Sequence, residues 1–466
     1  MIEDRFKILT LGYGEQLIDQ MWSKVEAKTD FDITHLPDPS IQFQEFLNHS
    51  KYKINFLFKN KLFLEDDADI NYLCELENDN DNEFTIHNII LADEHLKLLP
   101  YKIAIKYLSQ AAKSMNTILK EVNPDVVISG FEGFHSSLGM LVCKHNGIPW
   151  YALVYSSIPK GYTGFSNGYN SSFTKSFNIL SKKERKKIAE NLVAKFYDRL
   201  ALADKLDAEP NFAPVYKPFF VHFKNLLMAI KRKVNGNFDP FTHRKFSHSI
   251  KDYLRRLKNR NQNKLLHTLK APPEAPYVFF GIHMQPEMGI DVWAPFFTDQ
   301  INTIMAMARS IPPSHMLIIK THKIDADNWS NFDLQRISNL PNVFLAASGV
   351  NTDDFIDNAD LIFSIQGTIA LGGCLRGKNV ISFGQTMYND FSSLTIVDNL
   401  NDLPLLVRKN LQSGLASRSE VVSGLEKLLL RFGPGLHNDW SVELKEIDIS
   451  NFCYHLNKLQ KSLNTL

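Results

Sequence analysis

The chain is predicted to be an α/β protein of two Rossmann-like, doubly wound domains facing a central cleft, with a basic helical segment between them. Three observations carry this. Short apolar runs alternate with amphipathic stretches at the spacing of parallel crossover units, once before residue 155 and again after 276. A length of 466 residues exceeds one ordinary domain. The rhythm breaks in the middle, where 23 basic residues stand against 8 acidic ones over 175–270, a net +15 in a chain whose overall charge is +1. The flanks are acidic, with 15 basic against 23 acidic residues over 1–174 and 14 against 20 over 271–466.

In order, KILTLG (7–12) reads as a strand, followed by a helical pattern from Gly14 to about Lys28. After a less readable acidic stretch around LENDNDNEF, a long helical pattern ends near KEVNP (120–124). DVVISG (Asp125–Gly130) is a strand, GFHSSLGMLVCKHNG a helix closed by Gly147, and IPWYALVY (148–155) a third strand. Gly, Asn and Ser near GYTGFSNGYNSS break the alternation, and long charged helical patterns follow. It resumes with the strand in APPEAPYVFFGIHM, the amphipathic helix TDQINTIMAMARSIP, and the strands HMLIIKTH and NVFLAA. NTDDFIDNAD (helix), LIFSIQG (strand), TIALGGCLRG (helix) and NVISFG (strand) complete the second unit. The expected limits are 1–170 for the N-terminal domain, 171–270 for the basic segment and 271–440 for the C-terminal domain. A terminal helix over 441–466 is expected to pack back on the N-terminal domain.

Composition excludes several classes. A hydrophobic fraction of 44% with 22% charged residues is that of a soluble globular chain. Cys74, Cys143, Cys374 and Cys453 lie far apart without C-x-x-C spacing, which argues against a zinc site or disulfide framework and fits a reducing cytoplasm. The start MIEDRFKILTLGYGEQ lacks the basic opening of a secretory peptide, and no run of about 18 apolar residues occurs. The basic middle suits an anionic partner, although solvated helix faces explain most such runs. Within it FFVHFKNLLMAIKRKVNG carries Lys224, Lys231, Arg232 and Lys233 beside an apolar face, as a core-packing helix or a membrane-surface one.

Three strand ends of the second half gather polar groups: His283, Gln285 and Glu287; then Lys320, His322 and Lys323; then Ser364, Gln366, Gly367 and Thr368. Glycine admits a ligand close to the backbone, Thr368 can cap the following helix, and the free N–H groups there favour an anion. Together these make an anion pocket suited to the phosphate of a sugar nucleotide. LIFSIQG is not followed by G-x-G-x-x-G or a P-loop lysine, which argues against a dehydrogenase or kinase. In the first half, Glu132 follows DVVISG at a helix start. It is either an acid stabilising the helix dipole or a general base or nucleophile, with His135 as a second candidate.

From GIHMQPEMGIDVWAPFFTDQ through LIIKTHK to SIQGTIALGGCLRGKNVISFGQTMY, the chain resembles the capsule polysaccharide biosynthesis family of bacterial glycosyltransferases, which includes enzymes transferring Kdo and related ulosonic acids from CMP donors. Gln285 and Pro286 match its Gln-Pro motif, and Lys320 and His322 its Lys-x-His-Pro motif, with Lys323 in place of proline. Gly367, Thr368, Gly377 and Lys378 match its Gly-Thr and Gly-Lys elements, but Gly372 stands where glutamate is usual and Asn379 where proline is. The resemblance implies a GT-B architecture, with the donor nucleotide in the C-terminal domain, held by His283, Gln285, Glu287, Lys320, Ser364, Gln366, Gly367 and Thr368. His322 would donate to the departing phosphate, and Glu287 would orient a sugar hydroxyl or support the loop. Phe131-Glu132-Gly133 looks like the acid-Gly motif of sialyltransferases of similar fold, with Glu132 as base.

The same resemblance implies transfer of a 3-deoxy-ulosonic or nonulosonic acid (Kdo, pseudaminic or sialic-type) from a CMP donor to a capsule or other surface-glycan acceptor that is lipid-linked. It implies no cofactor beyond the donor substrate, no metal, no nucleic acid, and a cytoplasmic enzyme in peripheral contact with the anionic inner face of the membrane. A UDP-sugar transferase of the same fold is the alternative. In a different class, a non-catalytic polyanion-binding protein on a transferase scaffold also fits the basic middle.

Overall fold

A computed structural model describes residues 5–37, 67–79, 85–93, 96–130, 133–168, 179–198, 227, 246–285, 287–323, 325–436 and 443–464. They fall into two compact units. The first gathers the described residues of Met1–Ser181 and Leu429–Leu466, the second those of Lys182–Phe238 and Arg244–Leu428. The basic helices Lys182–Phe196 and Phe246–Asn263 are thus part of the second unit.

Unit 1 is built on β1 (Lys7–Leu11), β2 (Asp32–Leu36), β3 (Val126–Ser129), β4 (Trp150–Tyr155) and β5 (Tyr162–Ser166), with a short edge strand Gly433–Pro434. Across the sheet the order is 433–434, β5, β4, β3, β1, β2. The four strands from β2 to β4 are parallel, β5 is antiparallel to β4, and the edge strand is antiparallel to β5. β5 arises inside the stretch read from sequence as a break. Its Gly164 lets the backbone of Arg431 pass, since a Cβ there would stand 2.5 Å from the Arg431 carbonyl oxygen.

The long helix Tyr101–Val122 buries Ala104, Ile105, Leu108, Ala111, Ala112, Met115 and Leu119, an i, i+3, i+4 stripe that keeps its lysines outward. It stops at Asn123, whose left-handed φ of 47° and N–H bond to the Leu119 carbonyl (2.8 Å) form a C-terminal cap before Pro124. The helix Phe134–His145 is buried from Phe134 through Cys143.

The C-terminal helix Glu446–Leu463 turns Ile449, Phe452, Leu456 and Leu459 into the same core as Ile8, Met21, Trp22 and Val126. The Phe452 ring lies 5.7 Å from Trp22 and 6.3 Å from Phe165. Phe452→Ala should therefore cost about 3–5 kcal/mol, as large-to-small changes at well-packed aromatics do. Urea unfolding of unit 1, followed by tryptophan emission, measures it, and a change under about 1 kcal/mol would mean that this helix adds little to the core.

Unit 2 holds β6 (His267–Leu269), β7 (Tyr277–Ile282), β8 (Met316–Thr321), β9 (Val343–Ala346), β10 (Leu361–Ser364), β11 (Val380–Ser382) and β12 (Leu394–Ile396). All are parallel, in the order β12, β11, β10, β7, β8, β9, β6. Counted from β7, this is the 3-2-1-4-5-6 order of a doubly wound Rossmann sheet, with β6 added at one edge. Every residue of β7 is buried, as expected of a central parallel strand covered on both faces. The order reverses between β7 and β10, so the crevice at a topological switch point lies beyond the C-terminal ends of these two strands. No described helix is long and apolar enough to cross a membrane.

Candidate active site

Beyond Ile282 the β7 backbone leaves the ladder and needs new partners. Gln300, 1% exposed at the start of the helix Gln300–Ser310, supplies them. Its Oε1 accepts from His283 N (2.9 Å), and its Nε2 donates to His283 O (3.1 Å) and to Gln285 Oε1 (3.1 Å). Gln285 Nε2 donates in turn to the Thr298 carbonyl (2.9 Å) and to Asp291 Oδ1 (3.4 Å), while Asp291 Oδ2 accepts from Glu287 N (2.8 Å). The Gln285 side chain is thus a brace for the turn after β7. Pro286 lies outside the described residues. Glu287 is exposed, and its charge acts on the phenol of Tyr388.

The turn after β10 meets this one. Gly367 adopts φ 119°, a conformation essentially closed to other residues, and is the N-cap of the helix Thr368–Leu375. Thr368, expected as a cap, is instead the exposed first helical residue, because only glycine can make the bend that precedes it. No side chain caps this helix and its first turn carries no acid, so its N–H groups and dipole favour an anion. The His283 ring lies against Gly367, 3.0 Å from where a Cβ would stand. Tyr388 Oη donates to the Gly367 carbonyl. On the other side Gly281 admits the helix onto β7, since a Cβ there would fall 2.2 Å from Ile369 Cδ1.

Three buried polar atoms lack a partner at these strand ends: His283 Nε2, Thr321 Oγ1 and Ser364 Oγ, at the termini of β7, β8 and β10. Buried polar groups are ordinarily satisfied. Burial, with the neighbouring charge of His322, pushes the imidazole of His283 down to about 4, so at neutral pH it is uncharged and offers one donor and one acceptor. Lys320 (7% exposed) and Gln366 (7% exposed) are buried nearby in the chain, on β8 and after β10, and His322 is half-buried. Thr321 and Gln300 carry no sequence signal of their own. Their part depends on which strands are neighbours.

Against the expectation that no Asp-x-Asp pattern stands in this region, Asp325-Ala326-Asp327 follows β8. Burial raises the Asp325 carboxyl, which accepts from Gln285 N (3.3 Å) and Asn328 Nδ2 (3.4 Å) and faces Arg256 at 3.7 Å. Asp327 pairs with Arg260 at 3.4 Å. From the same basic helix, Arg255 Nη1 donates to the Asn328 carbonyl (2.7 Å) and Asn263 Nδ2 to the Trp329 carbonyl (2.8 Å). Among the described residues, no group of three or more His, Cys, Asp or Glu is placed to hold a metal ion.

The two departures from the family motif have these surroundings, and nothing in the structure explains the glycine at 372. Gly372 leaves its carbonyl to Arg376 Nη1 (3.0 Å), whose guanidinium also binds Asp353 and Asp357 at 2.7 Å each. Asn379 Nδ2 donates to the carbonyl of Asn410 (3.0 Å), holding the end of the helix Leu403–Gln412. Glu132 lies outside the described residues, as do Lys224, Lys231, Arg232 and Lys233.

Two Rossmann-like units in one chain, the second with an anion-favouring switch point, are the unit composition of a GT-B protein. Residues 228–408 match the model of the family described as capsule polysaccharide biosynthesis protein, which bears out the resemblance read from the motifs. No curated protein matches the chain. Among solved structures, it is similar to the beta Kdo 2,7 transferase KpsC of Thermosulfurimonas dismutans, at 13% identity over 75% of this chain and 89% of that one, with a TM-score of 0.34. It is similar to S. aureus MnaA solved with UDP at 9% identity, 99% and 98% coverage and TM-score 0.31. For Anabaena Alr3699/HepE in complex with UDP the values are 12%, 99%, 100% and 0.29.

The depressed imidazole has a consequence for stability. Its folded value lies below the ordinary 6.5, so the unfolded chain takes up the proton first as pH falls, and His283 withdraws stability between about 6.5 and about 4. His283→Gln should flatten that part of the pH dependence. Urea midpoints that fall equally steeply in variant and parent would show that the ring is not shielded.

Proposed function

We propose that the protein is a glycosyltransferase of capsule or related surface-glycan synthesis. Unit 2 binds a CMP-linked 3-deoxy-ulosonic or nonulosonic acid donor of the Kdo, pseudaminic or sialic type, and unit 1 binds the glycan acceptor. The observation that carries the reading is the pair of unpartnered buried atoms His283 Nε2 and Ser364 Oγ at the strand-order reversal that also holds an uncapped helix N-terminus, with a third, Thr321 Oγ1, at the end of the neighbouring β8. A polar, anionic ligand offers what such a place lacks, and the phosphate of a nucleotide sugar is one.

In this reading the Thr368–Leu375 helix N-terminus takes the donor phosphate, with Lys320 and His322 meeting the charge that develops as the anomeric carbon–oxygen bond breaks. Neutral His283 contributes a hydrogen bond without a charge. Gln285 acts by holding the turn. Glu132 serves as the carboxylate that takes the acceptor's proton or attacks the donor.

Incubation with a panel of CMP and UDP sugars, with nucleotide release as the readout, tests the donor. Release from CMP ulosonates or nonulosonates is expected. Turnover with UDP sugars alone overturns the CMP assignment, and salt-sensitive polyanion binding without any sugar-nucleotide binding overturns the enzyme. His322→Ala should keep the fold and slow transfer about a hundredfold, equivalent to about 3 kcal/mol of barrier. A near-normal rate would remove His322 from the chemistry. Glu132→Gln keeps shape but not basicity, so transfer should drop by at least about a hundredfold. Its CMP affinity should stay unchanged, and intact transfer would return Glu132 to a dipole-stabilising role.

A further inference from the structure

Unit 1 contains a counterpart of the strand-end arrangement just described. Its strand order reverses between β1 and β3. Gly12 follows β1 directly, and Gly133, with φ 81°, is the N-cap of the helix Phe134–His145 that follows β3. No side chain caps that helix and no acid occupies its first turn. The ring of His135 lies across both glycines: a Cβ on Gly12 would fall 2.4 Å from its Cδ2 and Nε2, and one on Gly133 would fall 2.7 Å from its Cε1. The residue is 8% exposed and its Nδ1 has no hydrogen-bond partner. The hydroxyls nearby in the chain are engaged with each other, Ser129 Oγ with Ser136 Oγ at 2.9 Å.

A buried imidazole nitrogen without a partner is a polar group whose solvation has been given up for nothing within the chain. In unit 2 the same combination, an unpartnered histidine nitrogen against a positive-φ N-cap glycine at the reversal, is His283 on Gly367. Core packing has no reason to place such a pair at the switch point of both sheets, whereas a ligand at each does.

We propose that the β1 and β3 ends of unit 1 form a ligand site of their own, in which His135 Nδ1 hydrogen-bonds a hydroxyl of a saccharide acceptor. The proposal rests on the reading of unit 1 as the acceptor side and supplies that side's recognition contact. Gly12 and Gly133 are the residues that let the ring reach this position.

The test uses the full chain with CMP bound. Methyl glycosides of galactose, N-acetylglucosamine and Kdo are titrated in, and binding is followed by calorimetry and by the histidine ring nitrogens in NMR spectra. At least one glycoside should bind and shift one imidazole nitrogen. His135→Leu, which removes the nitrogen, should weaken that binding by about tenfold or more. His135→Asn, which keeps a nitrogen where Nδ1 stands, should retain it within about threefold, and both should leave CMP binding unchanged. Should the leucine variant fail to fold, Gly12→Ala, which crowds the ring while keeping it, is expected to produce the same loss. Wild-type affinity in His135→Leu or in Gly12→Ala overturns the proposal, as does a CMP-bound parent that binds none of the glycosides. Absence of CMP binding in the parent would instead overturn the donor assignment.

Discussion

The side-chain amide of Gln300 holds the backbone of His283 by both its N–H and its carbonyl, and the strand-end chemistry of unit 2 is arranged around that pair of bonds. β7 pairs with β8 as far as Ile282 but with β10 only as far as Phe280, so the chain emerges with backbone groups that the sheet cannot satisfy. Leaving them unmet in a buried place would be costly. Gln300 meets them from a helix whose own start is held by Asp299, which accepts from Asn302 N at 3.0 Å. With the His283 backbone held there, its ring lies against Gly367, and the two strand ends meet.

Charge in unit 2 is distributed with the same economy. The basic helix Phe246–Asn263 does not present all its cations to solvent: Arg255, Arg256 and Arg260 reach Asn328, Asp325 and Asp327 in the segment after β8. The Asp325 carboxylate in these pairs is buried and the Arg260–Asp327 pair half-buried. Their value here is positional, because Asp325 also receives Gln285 N and Asn328 also donates to the Gln285 carbonyl (3.1 Å). The net +15 of the middle segment is therefore partly committed to bracing the turn that carries Gln285. That weighs against reading the whole excess as a surface for nucleic acid or another polyanion.

Apolar runs alone determined β1, β3, β4, β7, β8, β9, β10 and β11, because a parallel strand covered on both faces must be nearly continuous in Val, Ile, Leu and Phe. The polar residues clustered after these runs were legible for the same reason, since each run's abrupt end marks where a strand leaves the core. β5, β12 and Gly433–Pro434 were not legible: they are short, half-polar or glycine-bearing strands at or next to the edges of their sheets. Nor could sequence separate the brace Gln285 from the ring of His283, or reveal Gln300 and Thr321. Strand identity is a local property of side-chain burial. Strand order is not, and only the tertiary structure decided that β7 lies beside β10 and β1 beside β3, because adjacency is settled by how whole crossover units pack. That adjacency places His283 on Gly367 and His135 on Gly12.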